Sequence, residues 1–299
     1  MQVLDDAAIN ELVTPALAAD AMREAVIAAW RGELLAPPRA GVPLDGARLA
    51  FTCGARPGDW FGYRSYRAPG SGGEDQVVVL QDETTGRVRA LAVGQALGPR
   101  RVAGIGAVAL DAMGPTAPER IALLGTGGQA WHQLWGLPER FREVPIAVHS
   151  RTPDHRDEFA DRARRELGLD IRPVASASAA AADADVVILA TSSSTPVLAA
   201  RDIRPGAYVT TLGPKQTGRS EFEPSLAADA ALVVTDSPDQ VAAYDPPNVL
   251  VGSGVDERLT HLGAVLTGEV EVPLGTRMFF SVGLAGTEAW LLEAAVRAL

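Results

Sequence analysis

Residues 120–130 read Arg-Ile-Ala-Leu-Leu-Gly-Thr-Gly-Gly-Gln-Ala, and this stretch decides the fold. The apolar residues 121–124 predict a strand that is buried on both faces, because no polar residue interrupts them. Gly125, Gly127 and Gly128 then form a turn without Cβ atoms, and the apolar spacing that follows predicts a helix. The N–H groups at the start of such a helix suit a pyrophosphate. The glycine pattern is not specific by itself, so the flanking sequence has to support it.

The composition narrows the class of protein. At 299 residues the chain is long enough for two domains, and 47% hydrophobic with 21% charged residues is typical of a soluble globular enzyme. The formal net charge is −10, which disfavours nucleic acid or an anionic membrane as a partner. Cys53 is the single cysteine. No apolar run approaches the roughly 18 residues of a membrane span, and no secretory signal is visible. We expect a cytoplasmic protein without a metal site, since the histidines lack ligand spacing.

The rest of the chain predicts two kinds of structure. Residues 5–36 predict a helix with an apolar stripe, and residues 37–93 alternate short β-like runs with turns. A proline- and glycine-rich break at residues 114–118 marks a domain boundary. Beyond it, apolar strands alternate with helices, which predicts an α/β fold with a parallel, doubly wound sheet. The predicted strands after the first cover residues 144–149, 171–174, 185–191, 208–212 and 231–235.

The end of the second strand of this sheet indicates which dinucleotide is bound. In an NAD site a carboxylate there accepts hydrogen bonds from the ribose hydroxyls. This chain has Ser150, Arg151 and Thr152 instead, and a guanidinium between two hydroxyls suits a 2′-phosphate. We therefore prefer NADP(H), with NAD(H) as the alternative cofactor. The alternative interpretation of Arg151 is a solvated loop residue.

Short motifs along the chain share their order and spacing with one known family. They are Asp82-Glu-Thr-Thr-Gly86, Gly98-Pro-Arg-Arg101-Val-Ala-Gly104, Gly125-Thr-Gly-Gly-Gln-Ala130, Ser150-Arg-Thr152, Thr217-Gly-Arg-Ser-Glu221 and Ser281-Val-Gly283. Over nearly its whole length the chain resembles the ornithine cyclodeaminase/mu-crystallin family. The resemblance implies a Rossmann-type doubly wound parallel sheet, residues 115–276, inserted in an α+β domain. That domain, residues 1–114 completed by 277–299, would bind substrate and form a homodimer.

The resemblance also implies that basic residues hold the carboxylate of a small amino or imino acid. Arg101 matches a family arginine at a helix start, and Arg39 matches an upstream arginine. Arg64 stands where a lysine is usual, although Arg67 competes with it because of the spacing to Pro69. Several guanidinium groups around one anion clamp it by bidentate hydrogen bonds.

The same resemblance implies a set of cofactor contacts, with Arg219 and Ser281 at the nicotinamide end. The expected contacts are Arg101, Gly125, Thr126, Gly127, Gly128, Gln129, Ala130, Ser150, Arg151, Thr152, Thr191, Ser192, Leu212, Gly213, Arg219 and Ser281.

The chain also departs from the family pattern. Lys215 stands where the family has an aspartate that assists deamination. As a cation it cannot pair with a substrate ammonium, but it can donate a proton to an imine-derived nitrogen or hold a second carboxylate. The alternative is an exposed loop lysine. Gly73, Gly98 and Val102 replace threonines. These departures favour reduction of a C=N bond over ornithine cyclodeamination.

The sequence thus predicts an NADPH-dependent oxidoreductase that reduces the C=N bond of a small, cyclic imino acid, or oxidises the corresponding amino acid. Its catalytic residues would be Lys215, Arg64 and Arg101, and Arg39 would join them in binding substrate. Two alternatives stay open. One is ammonia-eliminating cyclisation with bound NAD, as in ornithine cyclodeaminase, and the other is a non-catalytic NADPH- or ligand-binding protein of the mu-crystallin type.

Overall fold

The computed structural model describes residues 1–68 and 75–299, and these divide into two compact units. Unit 1 consists of Met1–Ile105 and Gly283–Leu299, and unit 2 of Gly106–Val282. Unit 2 is therefore inserted in unit 1 along the sequence. Two residues of the motif comparison, Pro69 and Gly73, lie outside the described residues.

The elements are numbered in chain order. The strands are β1 (Gln2–Leu4), β2 (Ala40–Leu44), β3 (Ala47–Arg56), β4 (Trp60–Ala68), β5 (Gln76–Asp82), β6 (Val88–Gly94), β7 (Ile121–Leu124), β8 (Ile146–His149), β9 (Ile171–Pro173), β10 (Val186–Leu189), β11 (Tyr208–Thr211), β12 (Lys215–Gln216), β13 (Arg219–Ser220), β14 (Leu232–Thr235), β15 (Thr260–His261) and β16 (Arg277–Phe280). The α-helices are α1 (Asp6–Leu12), α2 (Pro15–Trp30), α3 (Leu97–Met113), α4 (Gly128–Trp135), α5 (Pro153–Leu167), α6 (Ala177–Ala181), α7 (Pro224–Asp229), α8 (Pro238–Ala242), α9 (Leu262–Leu266) and α10 (Thr287–Arg297).

Unit 1 is built on a six-stranded sheet in the order β1-β6-β5-β4-β3-β2. Strands β2 to β6 pair with one another in antiparallel fashion, and β1 pairs with β6 in parallel. The C-terminal helix α10 packs on β4, β5, β6 and α2. The predicted hairpin between β5 and β6 is present, since Asp82 accepts hydrogen bonds from both the N–H and the hydroxyl of Thr85. Gly86 has a φ of +66°, which favours glycine in this turn.

The single helix predicted over residues 5–36 is wrong, because the structure has two helices there. Helix α1 ends at Leu12, and α2 starts at Pro15. Thr14 caps the second helix, since its hydroxyl accepts a hydrogen bond from the N–H of Leu17 at 3.2 Å. Pro15 has no N–H to continue the first helix, but it fits the first turn of the next one.

Unit 2 contains an eight-stranded sheet in the order β15-β14-β16-β11-β10-β7-β8-β9. All of its strand pairs are parallel, which confirms the α/β class and the Rossmann-type doubly wound sheet. Residues 121–124 form β7 and are completely buried, as the sequence predicts. The strand order reverses direction between β7 and β10, and ligands of such sheets bind beyond the carboxyl ends of the strands at this point.

The division into units differs from the domain boundaries drawn from the sequence. The units separate at Ile105/Gly106, inside α3, and at Val282/Gly283. Strand β16 pairs with β11 and β14, so residues 277–280 belong to the parallel sheet. The division into residues 1–114 with 277–299 and residues 115–276 stays a proposal about folding domains.

Candidate functional site

A cavity of about 730 Å³ lies beyond the carboxyl ends of β7, β8, β10 and β11. Most of the expected cofactor contacts line it: Gly125, Thr126, Gly127, Gly128, Gln129, Ser150, Arg151, Thr152, Thr191, Ser192, Leu212 and Gly213. Since these residues come from four separate loops, the parallel sheet is what brings them together.

Two histidines, His149 and His155, also line the cavity. In the sequence both residues lack metal-ligand spacing, and neither carries a predicted role. His149 ends β8, and its Nδ1 lies 3.2 Å from the carbonyl oxygen of Val174.

Other expected cofactor contacts lie elsewhere. Ala130 is fully buried in α4, and Arg219 is exposed on the β12–β13 hairpin. Ser281 is partly buried after β16 and donates its N–H to the carbonyl oxygen of Thr211 at 3.2 Å. Arg101 belongs to unit 1. The cofactor role of these four residues stays a prediction.

The glycines of the turn after β7 have different physical roles. Gly125 has a φ of +114°, and a Cβ atom there would overlap with the carbonyl group of Ala190. By contrast, no described atom lies within 4 Å of a Cβ atom built at Gly127 or Gly128. Gly127 precedes α4 without a side-chain cap, so the first N–H groups of that helix are available to a ligand. The turn therefore fits a phosphate group, because open space and hydrogen-bond donors coincide.

The segment after β8 presents several groups that favour an anion. Arg151 is exposed at the rim of the cavity, and the hydroxyl of Ser150 donates to the carbonyl oxygen of Thr152 at 3.3 Å. Helix α5 starts directly after Thr152, which makes no side-chain cap. A guanidinium, a hydroxyl and an uncapped helix start all favour an anion.

Lys215 is the sole lysine of the sequence, and it is only 2% exposed. The alternative interpretation as an exposed loop lysine is therefore wrong. Its Nζ donates a hydrogen bond to the carbonyl oxygen of Gly213 at 2.7 Å. Gly213 lines the cavity, so this ammonium group is tied to the cavity wall.

In unit 1, Arg64 and Arg101 meet at a buried carboxylate that the sequence analysis missed. Oε1 of Glu288 accepts hydrogen bonds from Nη1 of Arg64 at 2.6 Å and from Nε and Nη2 of Arg101 at 3.0 and 2.5 Å. Arg64 also donates to Gln76, and its guanidinium lies 4.0 Å from the ring centre of Tyr66. Burial alone would raise the pKa of Glu288. The charges of Arg101 and Arg64 and the hydrogen bonds from Arg101 outweigh it and lower this pKa to about 2.

Arg64 and Arg67 lie on opposite faces of β4, because side chains alternate along a strand. Arg64 is buried, whereas Arg67 is exposed. Arg64 contacts the cluster that contains Arg101, because both residues bind Glu288. Glu288 carries no sequence signal beyond its place shortly after the motif at residues 281–283.

Arg39 and Arg101 converge on Gly283. A Cβ atom built on Gly283 would lie 3.2 Å from Nη2 of Arg39 and 3.5 Å from Nη1 of Arg101. Gly283 has a φ of +92°, so glycine suits both its backbone conformation and the close approach of the guanidinium groups. Two neighbouring guanidinium groups are chemically suited to bind one carboxylate.

Residues 1–68 and 75–299 contain neither a metal-ligand cluster nor a membrane-spanning helix. There, no three His, Cys, Asp or Glu side chains are grouped so that they could hold a metal ion. Among the same residues, no helix has both the length and the apolar character needed to cross a lipid bilayer.

The doubly wound sheet with a glycine turn at its switch point places this protein in the class of Rossmann-type folds, which commonly bind dinucleotides. The chain belongs to the ornithine cyclodeaminase/mu-crystallin family, whose model matches residues 63–292. The resemblance seen in the sequence is thus confirmed.

Named relatives of the chain are reductases. The delta(1)-pyrroline-2-carboxylate/delta(1)-piperideine-2-carboxylate reductase of Azospirillum brasilense is 30% identical over 297 residues, 95% of this chain and 90% of that protein. The ketimine reductase mu-crystallin of Mus musculus is 27% identical over 209 residues, which cover 70% of this chain but only 64% of the mouse protein. The fold also matches a solved structure, the delta(1)-pyrroline-2-carboxylate reductase of Thermococcus litoralis in complex with NADH and L-proline. That match has a TM-score of 0.89 and 21% identity, and it covers 100% of this chain and 97% of the other.

Proposed function

We propose that this protein is an oxidoreductase that uses NADPH to reduce the C=N bond of a small cyclic imino acid, or that oxidises the corresponding amino acid. The observation that carries the proposal is the convergence of Arg39 and Arg101 on Gly283, in a chain whose other unit contains a dinucleotide-type cavity. A carboxylate site and a cofactor site are the two elements that this reaction needs.

The arginine cluster supports an anionic substrate. Arg39, Arg64 and Arg101 bring three guanidinium groups, and Glu288 binds Arg64 and Arg101. Guanidinium groups favour a carboxylate, and Glu288 holds Arg101 with its Nη1 near Gly283. Two relatives are named for pyrroline-2-carboxylate or piperideine-2-carboxylate, and these names support a ring that contains the C=N bond.

The cavity residues support NADPH as the cofactor. The turn at Gly127 and Gly128 would hold the pyrophosphate, and Ser150, Arg151 and Thr152 would hold the 2′-phosphate. When bound, the cofactor supplies a hydride, while the protein supplies orientation and charge. NAD(H) is the alternative, because the solved Thermococcus protein contains NADH.

Lys215 is proposed to hold the proton that the substrate nitrogen acquires. Its ammonium group is buried, and its hydrogen bond to Gly213 fixes it beside the cavity wall. An ammonium can donate a proton to an imine-derived nitrogen, or it can anchor a second carboxylate. In neither role can it replace the family aspartate as an anionic partner of a substrate ammonium.

A homodimer is proposed from the free face of the sheet in unit 1. Val42, Leu44, Leu49 and Phe51 are 57%, 48%, 38% and 36% exposed, and the register of β2 and β3 puts them on the same face. An exposed apolar face next to an edge strand suits a second copy of the chain. Light scattering should give the mass of a dimer, and V42E should shift it to that of a monomer. A monomeric wild-type protein would contradict this part of the proposal. A cytoplasmic location stays a prediction.

The reaction can be tested with the purified protein, NADPH or NADH, and piperideine-2-carboxylate or pyrroline-2-carboxylate. We expect the absorbance of NADPH to fall when imino acid is present, and to fall more slowly with NADH. Ammonia release from ornithine without net NADH formation would instead identify a cyclodeaminase. Tight binding of NADPH without turnover of any imino acid would identify a non-catalytic binding protein.

A further inference from the structure

We propose that Glu221 is a positioning residue of the nucleotide site: its buried carboxylate holds together two loops of the cavity wall and, through Gly213, fixes Lys215. The inference rests on the proposed function, because it assumes that the cavity binds a dinucleotide. Glu221 ends a family-like motif in the sequence, but that motif assigned no role to it.

The side chain of Glu221 joins the loop after β10 to the loop after β11. Its Oε2 accepts hydrogen bonds from the N–H and the hydroxyl of Thr191 at 2.9 and 2.7 Å. Its Oε1 accepts hydrogen bonds from the hydroxyl of Thr211 and the N–H of Gly213, both at 2.6 Å. Each carboxylate oxygen therefore binds one loop, and Thr191 and Gly213 both line the cavity.

The backbone of Glu221 makes the same connection. Its N–H donates to the carbonyl oxygen of Pro214 at 2.9 Å, and its carbonyl oxygen accepts from the N–H of Val197 at 2.9 Å. Gly213 has no room for a side chain, because a Cβ atom there would overlap with the carboxylate of Glu221 and the carbonyl oxygen of Thr191. The two loops are thus packed around this carboxylate as one body.

The donors around Glu221 require an acceptor at both side-chain oxygens. Glu221 is fully buried, and its four donors are two hydroxyls and two backbone N–H groups. A hydroxyl can turn round and accept a hydrogen bond, whereas a backbone N–H can only donate. A neutral amide at position 221 has one oxygen and one NH₂ group, so the N–H of either Thr191 or Gly213 would face a donor. A buried donor without an acceptor is costly, and the loop that carries it has to move.

The carboxylate of Glu221 also influences the position of Lys215, and it does so through Gly213. The N–H of Gly213 donates to Glu221, and its carbonyl oxygen accepts from Nζ of Lys215 at 2.7 Å. Consequently, any movement at Gly213 displaces the acceptor of the ammonium group. Glu221 would therefore control both the cavity wall and the group proposed to hold the proton.

The test compares E221Q with the control E223Q. Glu223 also accepts a hydrogen bond from a backbone donor, since the N–H of Ala200 lies 2.9 Å from its carboxylate. The amide oxygen of a glutamine at this position can accept the same hydrogen bond. We expect E221Q to raise the Kd for NADPH roughly tenfold or more, since a lost hydrogen bond to a charged group changes binding on this scale. E223Q should change this Kd less than about twofold.

A second readout uses the fact that Lys215 is the sole lysine. Protein that contains ¹³Cε-labelled lysine gives one lysine signal in an NMR spectrum. We expect E221Q to shift this signal and its pH titration, whereas E223Q should leave both unchanged. A role limited to overall stability would lower the folded fraction without moving the signal of the folded protein.

The outcomes separate this inference from the proposed function. If E221Q binds NADPH as the wild type does and keeps the lysine signal, the inference is overturned even when the thermal stability falls. If E221Q does not fold, the variant T211V can be used, because it removes a single donor to Glu221. We expect T211V to weaken NADPH binding about threefold. An unchanged Kd would overturn the inference. Wild-type protein that binds neither NADPH nor NADH would overturn the proposed function together with the inference.

Discussion

A single carboxylate oxygen of Glu288 accepts hydrogen bonds from two nitrogens of Arg101, although these residues are 187 positions apart in the sequence. Both side chains are buried, and Arg64 binds the same oxygen. The guanidinium groups expected to clamp a substrate are thus already held by an internal anion. This arrangement fixes the orientation of Arg101 before any substrate arrives.

Replacement of Glu288 should therefore destabilise unit 1. The variant E288Q removes the negative charge that binds two buried guanidinium groups, and we expect the free energy of unfolding to fall by about 3 kcal/mol. Urea unfolding measures this value. E24Q, at an exposed position of α2, should change it by less than about 0.5 kcal/mol. Equal stability of E288Q and the wild type at neutral pH would contradict the role of Glu288.

The stability difference between wild type and E288Q should depend on pH. In the folded protein the arginine charges and hydrogen bonds lower the pKa of Glu288 to about 2, despite its burial, whereas an unfolded glutamate has a pKa of about 4.3. A group with a lowered pKa stabilises the fold above the unfolded pKa, and this contribution is lost as the pH falls towards the folded pKa. The difference should be constant above about pH 5 and shrink between about pH 4.5 and pH 2. A difference that grows on acidification would rule out this account.

Alanine substitutions in the glycine turn should separate folding from binding. G125A should lower the stability by about 1 to 3 kcal/mol, because the positive φ and the overlap with Ala190 both disfavour a Cβ atom. G127A should leave the stability unchanged and weaken NADPH binding, since its methyl group points into open space that the pyrophosphate needs. Thermal unfolding and fluorescence titration measure the two effects. Loss of stability in G127A with normal binding would show that the turn has only a structural role.

Removal of the Arg151 guanidinium should change cofactor preference. We expect R151A to weaken NADPH binding about tenfold to a hundredfold, because hydrogen bonds to charged groups contribute about 1.5 to 3 kcal/mol. NADH has no 2′-phosphate, so its Kd should stay within about twofold. The control R172A removes an exposed arginine of β9 and should affect neither cofactor. An equal loss for NADPH and NADH would mean that Arg151 does not recognise the 2′-phosphate.

Lys215 should affect the reaction rather than cofactor binding. K215M keeps an unbranched side chain in the buried site, and we expect it to lower kcat for a cyclic imino acid by about 10² to 10⁴, the usual contribution of a positioned proton donor. The Kd for NADPH should not change by more than about twofold. If KM rises while kcat is kept, Lys215 binds the substrate and does not donate the proton.

Local patterns in the sequence predicted the strand, turn and helix from β7 to α4, because an apolar run and glycine freedom are properties of a few adjacent residues. The hairpin after Asp82 was predicted for the same reason. The break between α1 and α2 is also local, since it depends on Thr14 and Pro15, but the apolar stripe across residues 5–36 concealed it.

The sequence by itself determined the parallel α/β sheet, the glycine turn and the family of this protein, because these features depend on residue order and spacing. Only the tertiary structure decided which basic residues are buried. Strand alternation puts Arg64 and Arg67 on opposite faces of β4 but does not say which face is covered, and the fold buries Arg64. Likewise, only the fold brought Glu288 to Arg101 and Glu221 to Thr191. A buried carboxylate takes its role from the donors around it, and those donors come from distant parts of the chain.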